Sequence, residues 1–303
     1  MPMVLGQNQY GKAETRVVRV RRDTRRHEVK DLSVGVALSG DLSDTHLTGD
    51  NGNVLPTDTM KNTVFAFARE YGIDSAEAYG LRLARHFVES RPSISRARIR
   101  IEEYPWSRIP ADGSRAGELD GGTRHSFARD GGEIRTSEIV WEDGRAQVIS
   151  GLKDLVVMNT TASEFRGFAK DRYTTLREAS DRILATRVDA RWRFAFDASE
   201  GSAEPDWEGS YARVRAHLLE AFADTYSYAL QQTLYAMADR VLTHRQEVDE
   251  VRLSLPNKHH FLVDMEAIGV ENENEVYYAA DRPYGLIEGT VHREGVTARI
   301  PVD

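Results

Sequence analysis

Hydrophobic and polar positions alternate along several stretches of the chain. Val18 and Val20 alternate with Arg19 and Arg21, and Leu32, Val34, Val36 and Leu38 keep strict period two. Such alternation predicts half-buried strands. A polar loop follows. Then two segments, Met60 to Glu70 and Ser75 to Glu89, predict helices, with Tyr79, Leu83 and Phe87 spaced by four. Gly72 and Asp74 separate them as a stop and a start. Period two returns at Ala97, Ile99 and Ile101. A Gly-rich stretch, read as a hairpin loop, leads to a further strand from Ile134 to Trp141.

The second half repeats the order. Ala146 to Val157 and the run Trp192, Phe194, Phe196 predict strands. Two longer helices follow an acidic loop. One carries Trp207, Tyr211, Val214, Leu218 and Phe222 on a single stripe, and the other carries Leu230, Leu234, Met237 and Val241. Val251 to Leu255 and Phe261 to Met265 alternate again and predict two more strands. Each half therefore reads strand, strand, helix, helix, strand, strand, and the boundary is expected near Glu142 to Arg145, giving units 1–143 and 144–303. This order points to an α+β fold of antiparallel sheets with helices on one face. Such sheets keep open edges, which closure into an oligomeric barrel would remove.

Composition narrows the class. The chain has 303 residues, no cysteine, a net charge of −8, 40% apolar and 29% charged residues. That length corresponds to roughly two domains. Without cysteine there is no disulfide framework, thiolate zinc site or thiol nucleophile. No stretch approaches the roughly 18 apolar residues of a membrane-spanning helix. The start MPMVLGQNQYGK lacks a signal-peptide pattern. The acidic balance argues against general nucleic-acid binding. The basic run RVVRVRRDTRRH is read as one solvated strand face.

Most catalytic signatures are missing: GxGxxG, GxxxxGK[ST], GxSxG and HExxH are all absent. His259 and His260 are adjacent, so on a strand they point to opposite faces and do not share a metal. Four polar segments stand out. Tyr10-Gly11-Lys12 precedes the first strand; its lysine is either a surface charge or, if desolvated, a base. Pro56-Thr57-Asp58-Thr59 enters the first helix, where Thr and Asp serve as N-caps and free N–H groups attract anions. FRGFAKDRYTTLREASDRIL contains Arg182, which on a helix would be an exposed charge. SLPNKHHF reads as a turn between two core strands.

Together these segments resemble the urate oxidase (uricase) family. The resemblance is carried by YGK at Tyr10 to Lys12, TDTMKNT at Thr57 to Thr63 and FAKDRYTTLREASDRIL at Phe168 to Leu184. It continues in ALQQTLYAM at Ala229 to Met237, SLPNKHHF at Ser254 to Phe261 and DRPYGLIE at Asp281 to Glu288. Several motifs in register along nearly the whole chain are more specific than any one of them. The resemblance implies the tunnelling fold (T-fold): two ββααββ units per subunit, four subunits in a hollow barrel, active sites at subunit interfaces, and no metal or organic cofactor. It implies that Lys12 is the catalytic lysine, Thr57 its partner with Asp58 beside it, and His259 the relay histidine. Phe165 becomes the stacking ring, Arg182 and Gln231 the purine clamp, Leu230 a main-chain contact and Asn257 the oxygen-side amide. Lys12 and Thr57 would face the others across an interface.

These residue types suit a flat, anionic purine. A ring supplies a π-face, a guanidinium a rigid charged fork, and a carboxamide both a donor and an acceptor. The implied reaction joins urate, O2 and water to give 5-hydroxyisourate and H2O2, with urate itself as electron donor. Two other functions are weighed against it. One is a purine or pterin enzyme of the same fold, such as a cyclohydrolase, for which the metal ligands are lacking. The other is a non-catalytic purine-binding barrel. The ending RIPVD is not of the peroxisomal type, and a cytoplasmic setting is expected.

Overall fold

The computed structural model describes residues 3–23, 26–109, 125–196 and 203–302. It divides into two units, Met1–Gly151 with Phe194–Glu208, and Leu152–Arg193 with Gly209–Asp303.

In the first unit, β1 (Tyr10–Arg21) and β2 (Glu28–Gly40) form an antiparallel pair. A short helix α1 (Ser43–Leu47), then α2 (Thr57–Glu70) and α3 (Ala76–Glu89), precede β3 (Ile94–Glu103). A small hairpin, β4 (Trp106–Arg108) with β5 (Phe127–Arg129), lies before β6 (Ile134–Glu142). The sheet runs β1-β2-β3-β6, and next to β6 comes β7 (Arg145–Asn159), whose later residues belong to the second unit. Helix α3 packs on β3 and β6, and α2 on β1. The expected alternation is realised: Leu32, Val34, Val36 and Leu38 are buried, with Ile94, Ala97, Ile99 and Ile101 beside them and Tyr79, Leu83 and Phe87 above. Gly80 allows this close approach, because a Cβ there would stand 2.4 Å from Ile139 Cδ1.

Two expectations for this unit are corrected. The phase of β1 is reversed: Thr15 and Val17 are buried, while Val18 is 59% exposed. Consecutive Val17 and Val18 offer either phase, and a bulge between Lys12 and Thr15 selects one, with Glu14 at φ 52°. Ser75, not Asp74, caps α3, its Oγ accepting from Ala78 N. The Gly-rich loop, taken as 109–132, is paired at its base by β4 and β5, and its residues 110–124 lie outside the described ones. Of the acidic loop 197–206, residues 197–202 lie outside them too.

In the second unit the later part of β7 is followed by β8 (Leu184–Phe194) as far as Arg193, α4 (Trp207–Asp224) from Gly209 on, α5 (Leu230–His244), β9 (Val248–Leu262) and β10 (Tyr277–His292). The order is β7-β8-β9-β10, with α5 on β9 and β10. The strand expected at Val251 to Leu255 runs on as one long strand, β9, that takes in only Phe261 and Leu262 of the strand expected at Phe261 to Met265, and its partner β10 escaped the alternation pattern. Pro283 and Gly285 break the period of β10, and a wide register shift between Ala280 and Gly285 absorbs them. No helix among the described residues is long and apolar enough to cross a membrane.

Each unit also holds a buried charge network. Glu77 is fully buried and accepts from Arg135 at 2.7 Å and from Ser150 Oγ. Arg135 reaches Glu208 at 2.8 Å, and Lys30 joins Glu103 at 2.7 Å and Glu208 at 3.2 Å. In the second unit Glu250, also fully buried, accepts from Arg193 Nε at 3.0 Å and from the backbone N–H groups of Arg299 and Ile300 at 2.8 and 2.9 Å, holding the C-terminal segment in place. Arg135→Ala is expected to cost about 3–5 kcal/mol, since Glu77 then keeps its buried charge with Ser150 as remaining partner. Urea unfolding followed by circular dichroism measures this. Replacing Glu77 and Arg135 together by leucine should cost less than the single change.

Candidate active site

Three of the nine candidate residues lie in the first unit. Lys12 is half-buried on edge strand β1, directly before the bulge. Gly11 is required beside it, because a Cβ there would lie 1.8 Å from the carbonyl oxygen of Val36 on β2. The Tyr10 hydroxyl accepts from Leu55 N at 2.8 Å, tying the start of β1 to the loop that enters α2. That tie sets the YGK lysine against the TDT segment.

Thr57 and Asp58 are not N-caps, as had been expected. Pro56 holds that position and has no side chain to bond the helix end. Thr57 is the first helical residue, and Asp58 turns along the helix to Lys61 and, at 3.1 Å, to Asn62. The first-turn N–H groups therefore have no side-chain cap and favour an anionic or carbonyl-bearing ligand. The bond from Lys61 holds the Asp58 carboxyl below its ordinary pKa, and the charge of Lys12 adds to the effect.

The other six residues lie in the second unit. The segment containing Arg182 is irregular rather than helical: Asp171 accepts from Tyr173 N and Thr174 Oγ1, both at 2.9 Å, and folds the chain into a turn. Phe165 and Ala179 exchange backbone hydrogen bonds at 2.9 and 3.0 Å and close this loop. Arg182 then sits two residues before β8, half-buried, with Cζ 5.3 Å from the centre of the Phe165 ring. Its Nε donates to Ser163 Oγ at 3.3 Å. No carboxylate among the described residues bonds it, and desolvation lowers its pKa.

Asn257 and His259 lie within β9, not in a turn. The register shift in β10 falls opposite Lys258, between them. His259 stacks on Phe261 at 5.9 Å on one strand face, while His260 bonds the carbonyl of Lys258 at 3.0 Å. Burial lowers the His259 pKa, and the charges of Arg182 and then His260 lower it further. Burial and the neighbouring charges thus both disfavour the protonated imidazole. Leu230 and Gln231 open α5 behind Ala229, which has no side-chain cap bond. Gln232 commits its carboxamide to Tyr228 N at 2.9 Å, whereas Gln231 is exposed with no protein partner among the described residues.

The structure thus brings Lys12 to Asp58 in one unit, and Phe165, Arg182 and His259 together in the other. Ser163 and the β10 bulge were missed by sequence reasoning. The DRPYG motif, with a proline and a glycine inside a strand, carried the only signal for the bulge. Among the described residues no group of three or more His, Asp or Glu is placed to hold a metal.

The profile of the family described as "Uricase" matches residues 8–140 and 148–288. The chain belongs to the uricase family. It is 48% identical over 300 residues to a uricase of Arthrobacter globiformis, covering 99% of this chain and 93% of that protein. It is 37% identical over 289 residues to a uricase of Dictyostelium discoideum, covering 94% and 96%. The crystal structure of uricase from Arthrobacter globiformis superposes with a TM-score of 0.90 at 47% identity, covering 99% of each chain. The uricase family and the mixed α/β arrangement with antiparallel sheets agree with the expectations from sequence.

Two outcomes follow for this uricase-family chain. In Arg182→Gln, the His259 imidazole should titrate at higher pH, because one charge opposing its protonation is gone; NMR of the ring across a pH series reads this directly. Gly11→Ala should lower the thermal midpoint and the activity together, since β1 must move away from Val36.

Proposed function

We propose that this uricase-family enzyme oxidises urate with O2 and water to 5-hydroxyisourate and H2O2 without a cofactor. Each subunit consists of two T-fold units, 1–143 and 144–303. Four subunits close the open sheet edges into a hollow barrel, and the first-unit residues of one subunit face the second-unit residues of another. The enzyme acts in the cytoplasm.

The observation that carries this reading is Arg182: a half-buried guanidinium with no carboxylate partner among the described residues, next to the Phe165 ring and His259. A planar anion would complete the charge pair and stack on the ring. Gln231 adds a donor and an acceptor at the purine edge, and the α5 start offers the N–H of Leu230. Thr57 and Asp58 supply uncapped N–H groups for the opposite edge.

Urate must give up a second proton to become electron-rich enough for O2. Lys12 takes that proton through the Thr57 hydroxyl, and His259 relays it onward. Asn257, beside the register shift, holds O2 and then water over the purine plane. Holding three reactants in line supplies much of the acceleration.

Purified, chelator-treated protein should consume urate in air and release H2O2; absence of turnover overturns the proposal. Lys12→Met should lower kcat by about 10²–10⁴-fold, the usual contribution of a general base, while urate still binds. Near-full turnover in that variant would remove Lys12 from the base role. Light scattering of the native protein tests the tetramer.

A further inference from the structure

We propose that Ser163 is a positioning residue for the arginine that clamps the substrate, acting through a hydroxyl acceptor chosen over a carboxylate. This rests on the assignment of Arg182 as the purine clamp. Ser163 is fully buried, and its Oγ is the acceptor for Arg182 Nε at 3.3 Å.

The backbone around it is held on both sides. Ala162 O accepts from Ser227 N at 2.9 Å, and Glu164 N donates to Ser227 O at 2.8 Å. One residue on, Phe165 and Ala179 are bonded in both directions. The serine therefore presents its hydroxyl from a segment that is pinned at each end. The pinning extends to α5. Ser227, the bridge partner of Ser163, accepts at Oγ from Thr233 Oγ1 at 2.8 Å. Thr233 is fully buried on α5, three residues after Leu230. One chain of small hydroxyl residues thus sets the guanidinium against the helix start that carries Leu230 and Gln231.

A neutral acceptor orients a guanidinium without neutralising it. A carboxylate in the same place would satisfy the charge that an anionic purine must meet. The carboxylate next to Ser163 and the one next to Arg182 are both engaged elsewhere. Glu164 accepts from Arg166 Nε at 3.0 Å and from the Tyr226 hydroxyl at 3.2 Å. Asp181 accepts from Thr161 Oγ1 at 2.9 Å. Arg182 keeps both terminal nitrogens without a protein partner among the described residues.

The test is a double-mutant cycle on the full-length enzyme with urate. Ser163→Ala should raise KM about 10-fold, the lower end for a lost hydrogen bond from a charged donor, with kcat nearly unchanged. Ser163→Cys keeps the volume with a weak acceptor and should behave as Ser163→Ala does. In an Arg182→Ala background, Ser163→Ala should have no further effect on KM, whereas a merely structural role would add to it. An unchanged KM in Ser163→Ala, or full additivity, overturns the proposal. If Ser163→Ala does not fold, Ser163→Cys decides alone: parent-like KM overturns the proposal, raised KM supports it. Should Arg182→Ala itself leave KM unchanged, the clamp assignment fails instead, and the two failures are told apart.

Discussion

A guanidinium held half-buried without a carboxylate loses hydration and gains nothing in exchange until an anion arrives. Among the described residues Arg182 has no carboxylate partner, and the surrounding part of the second unit sustains that state. The Phe165 ring lies beside it, Ser163 orients it, and the adjacent acids are bonded elsewhere. The same charge acts on His259, adding to burial in disfavouring the protonated imidazole. Where this chain buries charge for structure, it does the reverse: Glu77 and Glu250, both fully buried, are each fully partnered.

The candidate residues cluster where regular structure is interrupted. Lys12 directly precedes a bulge in β1, and Asn257 and His259 flank the point where β10 slips register. A bulge leaves backbone groups unpaired and re-aims side chains, which is how a sheet can offer a polar site without losing its core. The helix starts contribute in the same manner. Pro56 and Ala229 occupy N-cap positions without capping, so the first turns of α2 and α5 keep N–H groups for a ligand. Each of these features weakens the unit locally and is compensated by the packed faces behind it, where α3 lies on β3 and β6 and α5 on β9 and β10.

Much of this was legible in the amino-acid order. Period-two runs marked β2, β3 and β6 because one face of each is buried, and the apolar stripes of α3, α4 and α5 marked helices for the same reason. The family motifs named the candidate residues. Tertiary context was needed for the phase of β1, where adjacent valines permit both, for the continuity of β9 through Pro256 and Asn257, and for β10, whose proline and glycine disguise a strand. The irregular course of the chain up to Arg182 depends on a turn at Asp171 and a bridge to Phe165, and a helix-like composition hid it.

Composition and local order determined the alternation of strands and helices, the family, and the kinds of groups available to grip a flat anion, because burial and motif spacing are written residue by residue. Only the folded chain decided which hydroxyl holds Arg182, which acids are drawn away from it, and why protonation of His259 is disfavoured. Those are properties of distance and desolvation between residues far apart in sequence, and they exist only once the chain has closed on itself.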